Sequence, residues 1–362
     1  MAVSSKALPP GSTIGILGGG QLGRMFALAA ARLGYKTHVY CPEVGCPTSQ
    51  VTDQATFKDY NDDKALAVFA DSVDVVTYEF ENIPDAAVEL LNAKRPVRPN
   101  AEVLHTSQDR MFEKQLFLDL GLKTAPFANI NVLSDLEQAV EQIGLPAILK
   151  TRRFGYDGKG QVKITQSDQV PQAFDDMAGA AAIREGFVSF DTEISVLVAQ
   201  SPAGEQSLFP VAENVHRNHI LDVTTVPASA SVMVVDQALD AAKKIASALK
   251  LEGLLAVEMF VTADDQVIIN EIAPRPHNSG HWSMDGCQTD QFEQAVRAVC
   301  NLPLGDTSII TPTKMKNLIG DEVDDWATYL AEPNAKLHLY GKTESRPGRK
   351  MGHVNYLLPK KG

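Results

Sequence analysis

Two short apolar runs near residue 264 carry acids where a sheet interior is expected. Residues 254–260 (LLAVEMF) and 266–272 (QVIINEI) both read as strands, with Asp264-Asp265 between them as a hairpin turn. A turn centred there sets Glu258 opposite Glu271, with Cβ atoms ~5 Å apart. Like charges at that spacing destabilise a hairpin unless a cation lies between them. Carboxylate pairs that share an ion with phosphate oxygens are the usual way proteins bind Mg²⁺, and Asn270 adds a neutral oxygen beside them. Two solvated glutamates on an exposed strand face are the plainer alternative. Against it, both acids interrupt otherwise apolar runs.

Two glycine clusters offer a second kind of chemistry. Gly18-Gly19-Gly20-Gln21-Leu22-Gly23 has the form GxGxxG and joins a strand to a helix, where backbone amides and the positive helix end suit a phosphate. Dinucleotide binding calls for an acid closing the next strand, but that strand runs Val39-Tyr40-Cys41 and Glu43 arrives late, behind Pro42. The cluster therefore points to some phosphate more than to NAD, and a purely structural tight turn stays open. The second cluster, Gly155-Tyr156-Asp157-Gly158-Lys159-Gly160-Gln161, joins two strands and lacks the Ser or Thr of a P-loop. A glycine hairpin with adjacent Arg and Lys can still fold over a triphosphate. Lys150, ending the strand before it, could meet phosphate oxygens; an ordinary surface loop is the alternative. Finally, residues 271–282 (EIAPRPHNSGHW) leave the acid-bearing strand as a loop stiffened by Pro274 and Pro276. This loop carries Arg275, His277, Asn278, Ser279 and His281. Arg275 suits a small oxyanion, and the His-x-x-x-His spacing in a Pro/Gly loop argues against zinc.

The elements that must hold these residues divide the chain into three. Residues 13–105 alternate strand and helix: strands at 13–17, 37–40, 73–78 and 96–98, helices at 21–33, 62–70 and 84–92, implying a parallel sheet with crossover helices. A helix over 110–120 follows. Strands at 146–150, 161–164 and 182–187 surround a helix near 168–178, and residues 191–272 read as strands with one helix at 236–249. A helix from 290 to 300 precedes short irregular segments. The expected domains are 1–105, 106–190 and 191–362, in an α/β chain that is α+β overall.

Composition narrows the partners. With 362 residues, 44% hydrophobic and 22% charged, the chain has room for two or three cores. A net charge of −12 with no basic stripe argues against nucleic acid. Cys41, Cys46, Cys287 and Cys300 show no metal or disulfide spacing and read as reduced thiols in a cytoplasmic protein. No membrane-spanning run or signal peptide is expected.

Taken together, Lys150, the glycine hairpin, Glu185-Gly186-Phe187-Val188 and Glu258 with Asn270-Glu271 resemble the ATP-grasp superfamily, which clamps ATP between a small lid domain and a metal-bearing sheet. Within it, GILGGGQLGRM (15–25), TYEFENIP (77–84), DRMFEKQLF (109–117), KTRRFGYDGKGQ (150–161), NEIAPRPHNSGHW (270–282) and RPGRKMGHVN (346–355) resemble the 5-(carboxyamino)imidazole ribonucleotide synthase family over nearly the whole chain. The resemblance implies a preATP-grasp domain, a lid subdomain and a C-terminal domain. It also implies carboxylation of 5-aminoimidazole ribonucleotide by ATP and bicarbonate through carboxyphosphate, with ADP and phosphate released.

The same resemblance assigns roles along the chain. Arg110, Lys150 and Lys159 would neutralise phosphate, with Gly155, Tyr156, Asp157, Gly158, Gly160, Gln161, Asn270 and Glu271 beside the nucleotide and Mg²⁺ or Mn²⁺ on Glu258 and Glu271. Glu185, Gly186, Phe187 and Val188 would meet adenine, Glu193 the ribose, and His216 would lie alongside. Gly20, Gln21, Leu22, Glu79, His277, Asn278, Ser279, Arg349 and Lys350 would receive the ribonucleotide, with Tyr156 and Asp157 reaching it. Asp157, Arg275 and Lys350 are the expected catalytic residues. A homodimer, and a separate mutase to take the product, are further implications. The chain stops soon after the 346–355 motif, so no fused carboxylase domain is expected. A sister ATP-grasp enzyme, such as a formate-dependent glycinamide ribonucleotide transformylase, is the nearest alternative. An NAD-dependent oxidoreductase rests on Gly18–Gly23 alone.

Overall fold

The computed structural model describes residues 6–155 and 160–359. Strands β1 (Thr13–Leu17), β2 (Lys36–Cys41), β3 (Gln54–Phe57) and β4 (Val75–Tyr78) form a wholly parallel sheet in the order β3-β2-β1-β4. Helix α1 (Gln21–Arg32) links β1 to β2, α2 (Asp63–Asp71) links β3 to β4, and α3 (Asp85–Asn92) follows. The expected alternation is observed, with β3 as an added edge. The strand expected at 96–98 is reduced to one bridge between Val76 and Val97, because Pro96 and Pro99 remove ladder donors on either side.

Helices α4 (Ala101–Gln108) and α5 (Arg110–Asp119) break at Asp109, whose side chain caps α5 by accepting from Met111 N. A small antiparallel sheet comes next, in the order β5-β8-β6-β7. Its members are β5 (Phe127–Ile130), β6 (Ala147–Thr151), β7 (Gln161–Ile164) and β8 (Ala182–Gly186), with α6 (Leu133–Ile143) and α7 (Val170–Asp176). Ala147 and Leu149 share a core with Leu136 and Ala173 of those helices. The two-residue period of a strand then turns Lys150 to the opposite face.

The third sheet has nine strands. β9 (Thr192–Gln200), β10 (Gln206–Leu208), β11 (Ala212–Arg217) and β12 (Ile220–Val226) lead to α8 (Val232–Ala248). β13 (Gly253–Val261) and β14 (Val267–Ala273) are followed by α9 (Ser283–Gly286) and α10 (Gln291–Val299). β15 (Thr313–Ile319), α11 (Trp326–Ala331), β16 (Ala335–Leu339) and β17 (Lys350–Leu357) complete it. The order is β14-β13-β9-β11-β12-β15-β17-β16, with β10 beside β9. Helices α8 and α10 cover opposite faces: Val196, Val198 and Val257 pack with α8, while Leu197, Ala199 and Ala256 pack with α10. The segment after α10 is therefore not irregular, as the sequence pattern implies. Its strands are hidden because their inward positions include buried polar residues, Asn317, His353 and Asn355.

Those polar residues build a column of imidazoles. The His353 ring stacks between His281 and His338, at centroid distances of 4.7 and 4.6 Å. Gln291 bonds the His277 backbone with both amide atoms, which orients its Nε2 to donate to His281 Nδ1 at 2.8 Å. His281 is thereby held neutral, and burial keeps both His281 and His353 well below the usual 6.5. An unfolded chain takes up these two protons as pH falls through about 6.5 while the folded chain does not, so both rings favour folding above that pH and disfavour it below. The unfolding midpoint is expected to fall between pH 7 and 5, more steeply in the wild type than in His353→Gln. In an NMR titration of the folded protein neither ring should gain a proton near 6.5; a midpoint there would contradict the burial argument.

Candidate active site

Glu258 stands opposite Glu271 across the β13–β14 ladder, but not by way of the expected turn. The loop is three residues long, 263–265, closed by Thr262 N donating to Gln266 O at 3.1 Å, with Asp265 at φ 59°. This longer loop slips the register by one, so that Met259 faces Ile269. A bulge between Glu258 and Met259 leaves Asn270 without a counterpart and brings Glu271 back to Glu258.

Each acid has a cationic or donor neighbour. Arg110 Nη1, at the start of α5, lies 3.0 Å from Glu271 Oε2. His277 Nε2 lies 3.0 Å from Glu258 Oε1, and Ser279 N donates to the other ring nitrogen, which puts the ring proton on the side of Glu258. Burial alone would raise the Glu271 carboxyl, but Arg110, Lys150 and Lys114 bring it down to about 2. Nearby, Glu185 Oε2 accepts from Lys150 Nζ at 2.9 Å and lies 3.7 Å from Lys114 Nζ, while its Oε1 is buried without a hydrogen-bond partner among the described residues. Burial pushes Glu113 the other way, up to about 8, against Lys114 and Arg110.

A cavity of about 590 Å³ opens between the three sheets. The first sheet contributes Gly20, Gln21, Leu22 and Glu79 to its wall, and the β6–β7 region contributes Lys150, Gly155 and Gln161. From the large sheet and its loops come Glu193, His216, Glu258, Asn270 and Glu271, then Arg275, His277, Asn278 and Lys350, with Arg110 above them. His216 Nδ1 pairs with Glu193; burial lowers this imidazole, but that carboxylate outweighs it and raises the pKa. Other expected residues stand off the wall. Gly160 and Val188 lie outside it, Gly186 N bonds Pro126 O, and Lys163 Nζ sits 4.5 Å from the Phe187 ring centroid. Ser279 is buried, its Oγ 2.8 Å from Ser195 Oγ, and Arg349 Nη1 donates to Glu344 O at 2.9 Å. Tyr156, Asp157, Gly158 and Lys159 lie outside the described residues.

The first glycine cluster differs from a free phosphate loop. Gly20 N donates to Glu79 Oε1 at 2.7 Å and Gly23 N to Glu79 Oε2 at 3.4 Å, so the helix end already holds a carboxylate. A Cβ at Gly20 would fall 2.6 Å from Glu79 Oε1, so a side chain there would displace this carboxylate. Several residues of the site are not apparent from sequence. Glu81 pairs with Arg275 through both oxygens, at 2.5 and 2.9 Å. Asp109 binds Arg152 in the same two-pronged way, at 2.9 and 2.7 Å. Glu113 and Lys114 are buried although residues 109–114, with four charges in six, look solvated.

With this geometry in place, comparison with known proteins is decisive. Residues 12–108 match the ribonucleotide synthetase preATP-grasp domain, 115–292 the ATP-grasp domain, and 313–362 the phosphoribosylaminoimidazole carboxylase C-terminal domain. The chain is 48% identical to N5-carboxyaminoimidazole ribonucleotide synthase of Brucella melitensis over 99% of both chains. It is 45% identical to the Bacillus subtilis protein of that name, over 98% of this chain and 94% of the other. It also matches a bifunctional purine synthesis protein of Dictyostelium discoideum at 46% identity, spanning 37% of that longer protein. A crystal structure of an N5-carboxyaminoimidazole ribonucleotide synthetase in complex with ADP superposes with a TM-score of 0.95, at 43% identity over 98% and 94% of the two chains. An Aspergillus clavatus synthase in complex with ADP and 5-aminoimidazole ribonucleotide gives 0.89, at 30% identity over 97% and 94%. The fold is that of the ATP-grasp proteins. Within them, the chain belongs to the N5-carboxyaminoimidazole ribonucleotide synthase family.

The electrostatics of the site make one checkable statement. Glu113 should stay protonated at neutral pH, giving a protonated-carboxyl infrared band that Glu113→Gln removes. Absence of that band from the wild type would mean that Lys114 and Arg110 outweigh burial.

Proposed function

We propose that this chain uses ATP and bicarbonate to carboxylate 5-aminoimidazole ribonucleotide, giving the N5-carboxyamino product, ADP and phosphate. One observation carries the proposal. A single cavity has a cationic and carboxylate pole at Arg110, Lys150, Glu258 and Glu271, and a second polar pole at Glu79, Arg275 and Lys350. The first pole suits a nucleoside triphosphate and the second a phosphorylated sugar. Relatives whose structures hold ADP, or ADP with the aminoimidazole ribonucleotide, support placing both in this chain.

The donor set also fits a magnesium ion. Two opposed carboxylates and the neighbouring Asn270 offer hard oxygens. Among the described residues no three His, Cys, Asp or Glu side chains converge to cage an ion. Glu258 and Glu271 would hold the cation, which would supply charge neutralisation during phosphoryl transfer.

In the proposed reaction a bicarbonate oxygen attacks the γ-phosphorus, ADP leaves, and carboxyphosphate forms. The exocyclic amine then takes the carboxyl group and phosphate departs. Arg110 and Lys150 neutralise charge on the transferred phosphoryl group. Glu185 would accept through Oε1 from a donor such as an adenine amino group. Arg275, fixed by Glu81, meets bicarbonate, and Lys350 meets the ribonucleotide, with Asp157 assigned to orient the amine. Domain cuts near 105 and 190, a homodimer, a cytoplasmic setting and a separate mutase as consumer of the product belong to the same proposal, supported by the family.

The direct test is ATP hydrolysis measured with and without aminoimidazole ribonucleotide and bicarbonate; hydrolysis indifferent to both would sink the assignment. Glu271→Gln is expected to leave the fold intact and to cut turnover by more than about tenfold, a loss above ~1.4 kcal/mol. Lys350→Ala is expected to raise the KM for the ribonucleotide roughly ten- to a hundredfold, the worth of one charged hydrogen bond at ~1.5–3 kcal/mol. The KM for ATP should stay near wild type. A Lys350→Ala protein that loses ATP affinity instead would place the nucleotide in the wrong half of the cavity.

A further inference from the structure

Glu113 and Lys114 have no part in the chemistry proposed above, yet both are buried and both reach the same strand. Lys114 Nζ donates to the Asn270 carbonyl at 2.7 Å. Glu113 Oε1 accepts from the Ile272 amide at 2.7 Å. These two backbone groups flank Glu271, and Asn270 is the residue that the bulge leaves without a counterpart on β13. β14 is the edge strand of its sheet, so groups turned away from β13 need partners from outside the ladder.

The bulge decides where Glu271 points. With the three-residue loop and no bulge, Glu258 would face Asn270 and Glu271 would face Val257. The two-residue period would then turn Glu271 toward the apolar core beneath α8, which contains Val257. Packing alone does not call for an acid and a lysine here, since Phe117 of the same helix already fills the apolar contact in that core. A lysine at 1% side-chain exposure is costly unless matched, and here it is matched by Glu185 and a β14 carbonyl.

We infer that Glu113 and Lys114 are positioning residues, which hold the β14 bulge by its backbone and so keep Glu271 across from Glu258. This inference rests on the assignment of those two carboxylates to a nucleotide-bound cation.

Three substitutions separate this role from general stability. Lys114→Met keeps the stem and removes the donor; Glu113→Leu removes the acceptor; Glu113→Gln keeps an acceptor oxygen. The first readout is Mn²⁺ binding by magnetic resonance in the presence of a non-hydrolysable ATP analogue. The second is hydrogen exchange of the Ile272 amide in the ligand-free protein. Lys114→Met and Glu113→Leu should each weaken Mn²⁺ binding about 10- to 100-fold, the usual effect of removing a group that orients a metal ligand. Glu113→Leu should also speed exchange at Ile272, and Glu113→Gln should recover most of both losses. Unchanged Mn²⁺ affinity in folded Lys114→Met and Glu113→Leu would overturn the inference, as would equal losses in the Leu and Gln variants. Should Lys114→Met not fold, the contrast at Glu113 decides. A wild type that binds no Mn²⁺ with the analogue would remove the cation assignment and this inference together. Normal Mn²⁺ binding without stimulation of hydrolysis by aminoimidazole ribonucleotide would overturn the proposed function and leave the positioning role standing.

Discussion

Two like charges facing each other across one pair of strands set the terms for the rest of the molecule. Cβ atoms of directly opposed residues lie about 5 Å apart, and a like-charged pair placed so is destabilising. The protein surrounds it with compensation. Arg110 lies against Glu271, His277 against Glu258, and Lys150 and Lys114 stand near enough to help hold Glu271 ionised. Each of these close contacts engages one acid only: Arg110 meets Glu271 and His277 meets Glu258. A cation between the two acids would replace repulsion with attraction, which is the electrostatic basis for reading this pair as a metal site.

That compensation comes largely from one helix, and the helix in turn ties the sheets together. Residues 110, 113 and 114 share one face of α5 by the three- and four-residue periodicity of a helix. Asp109, capping α5, binds Arg152 after β6, and Lys114 reaches Glu185 on β8, so α5 is bonded to the small sheet. Arg110 and Lys114 bond it to β14 of the large sheet. The first sheet joins through Glu81 and Arg275, and through Arg98, whose Nε lies 2.7 Å from Glu252 and whose Nη1 donates to Val299 O. Losing one partner of such a buried pair strands the other charge, which is more damaging than the pair itself is stabilising. Cavity shape and sheet arrangement therefore depend on the same few side chains.

How much of this was legible in the sequence follows from which residues break a pattern. Glu258 and Glu271 stand out because each interrupts an apolar strand, and their pairing was readable although the turn was not. Two departures cancel: the loop is one residue longer than a two-residue turn, and the bulge at Asn270 takes up the difference. β1 and β7 carry clean apolar or alternating runs and match residue for residue. β15 and β17 do not, because Asn317, His353 and Asn355 occupy interior positions and bond partners elsewhere in the fold, such as Tyr340 OH and His281 O. Glu113 and Lys114 were illegible for the opposite reason. A helical run of charges looks like a solvated face, and only the tertiary fold reveals that its partners are the backbone of β14.

The glycine cluster at the start of α1 already holds an anion that belongs to the chain itself. Glycines before a helix expose amides that attract an anion. Here the anion is already supplied by the chain: Glu79, just past β4, accepts from Gly20 and Gly23. Burial raises the Glu79 carboxyl while those amides and Arg275 oppose the shift, so the turn and the acid stabilise each other. A phosphate brought to this helix end would meet that carboxylate, and a dinucleotide pyrophosphate would meet it directly. In the proposed function Glu79 is better suited to sugar hydroxyls, with the phosphate left to cationic side chains such as Lys350, which lines the same cavity. The glycines hold a carboxylate at the cavity wall, and GxGxxG by itself does not distinguish that task from nucleotide binding.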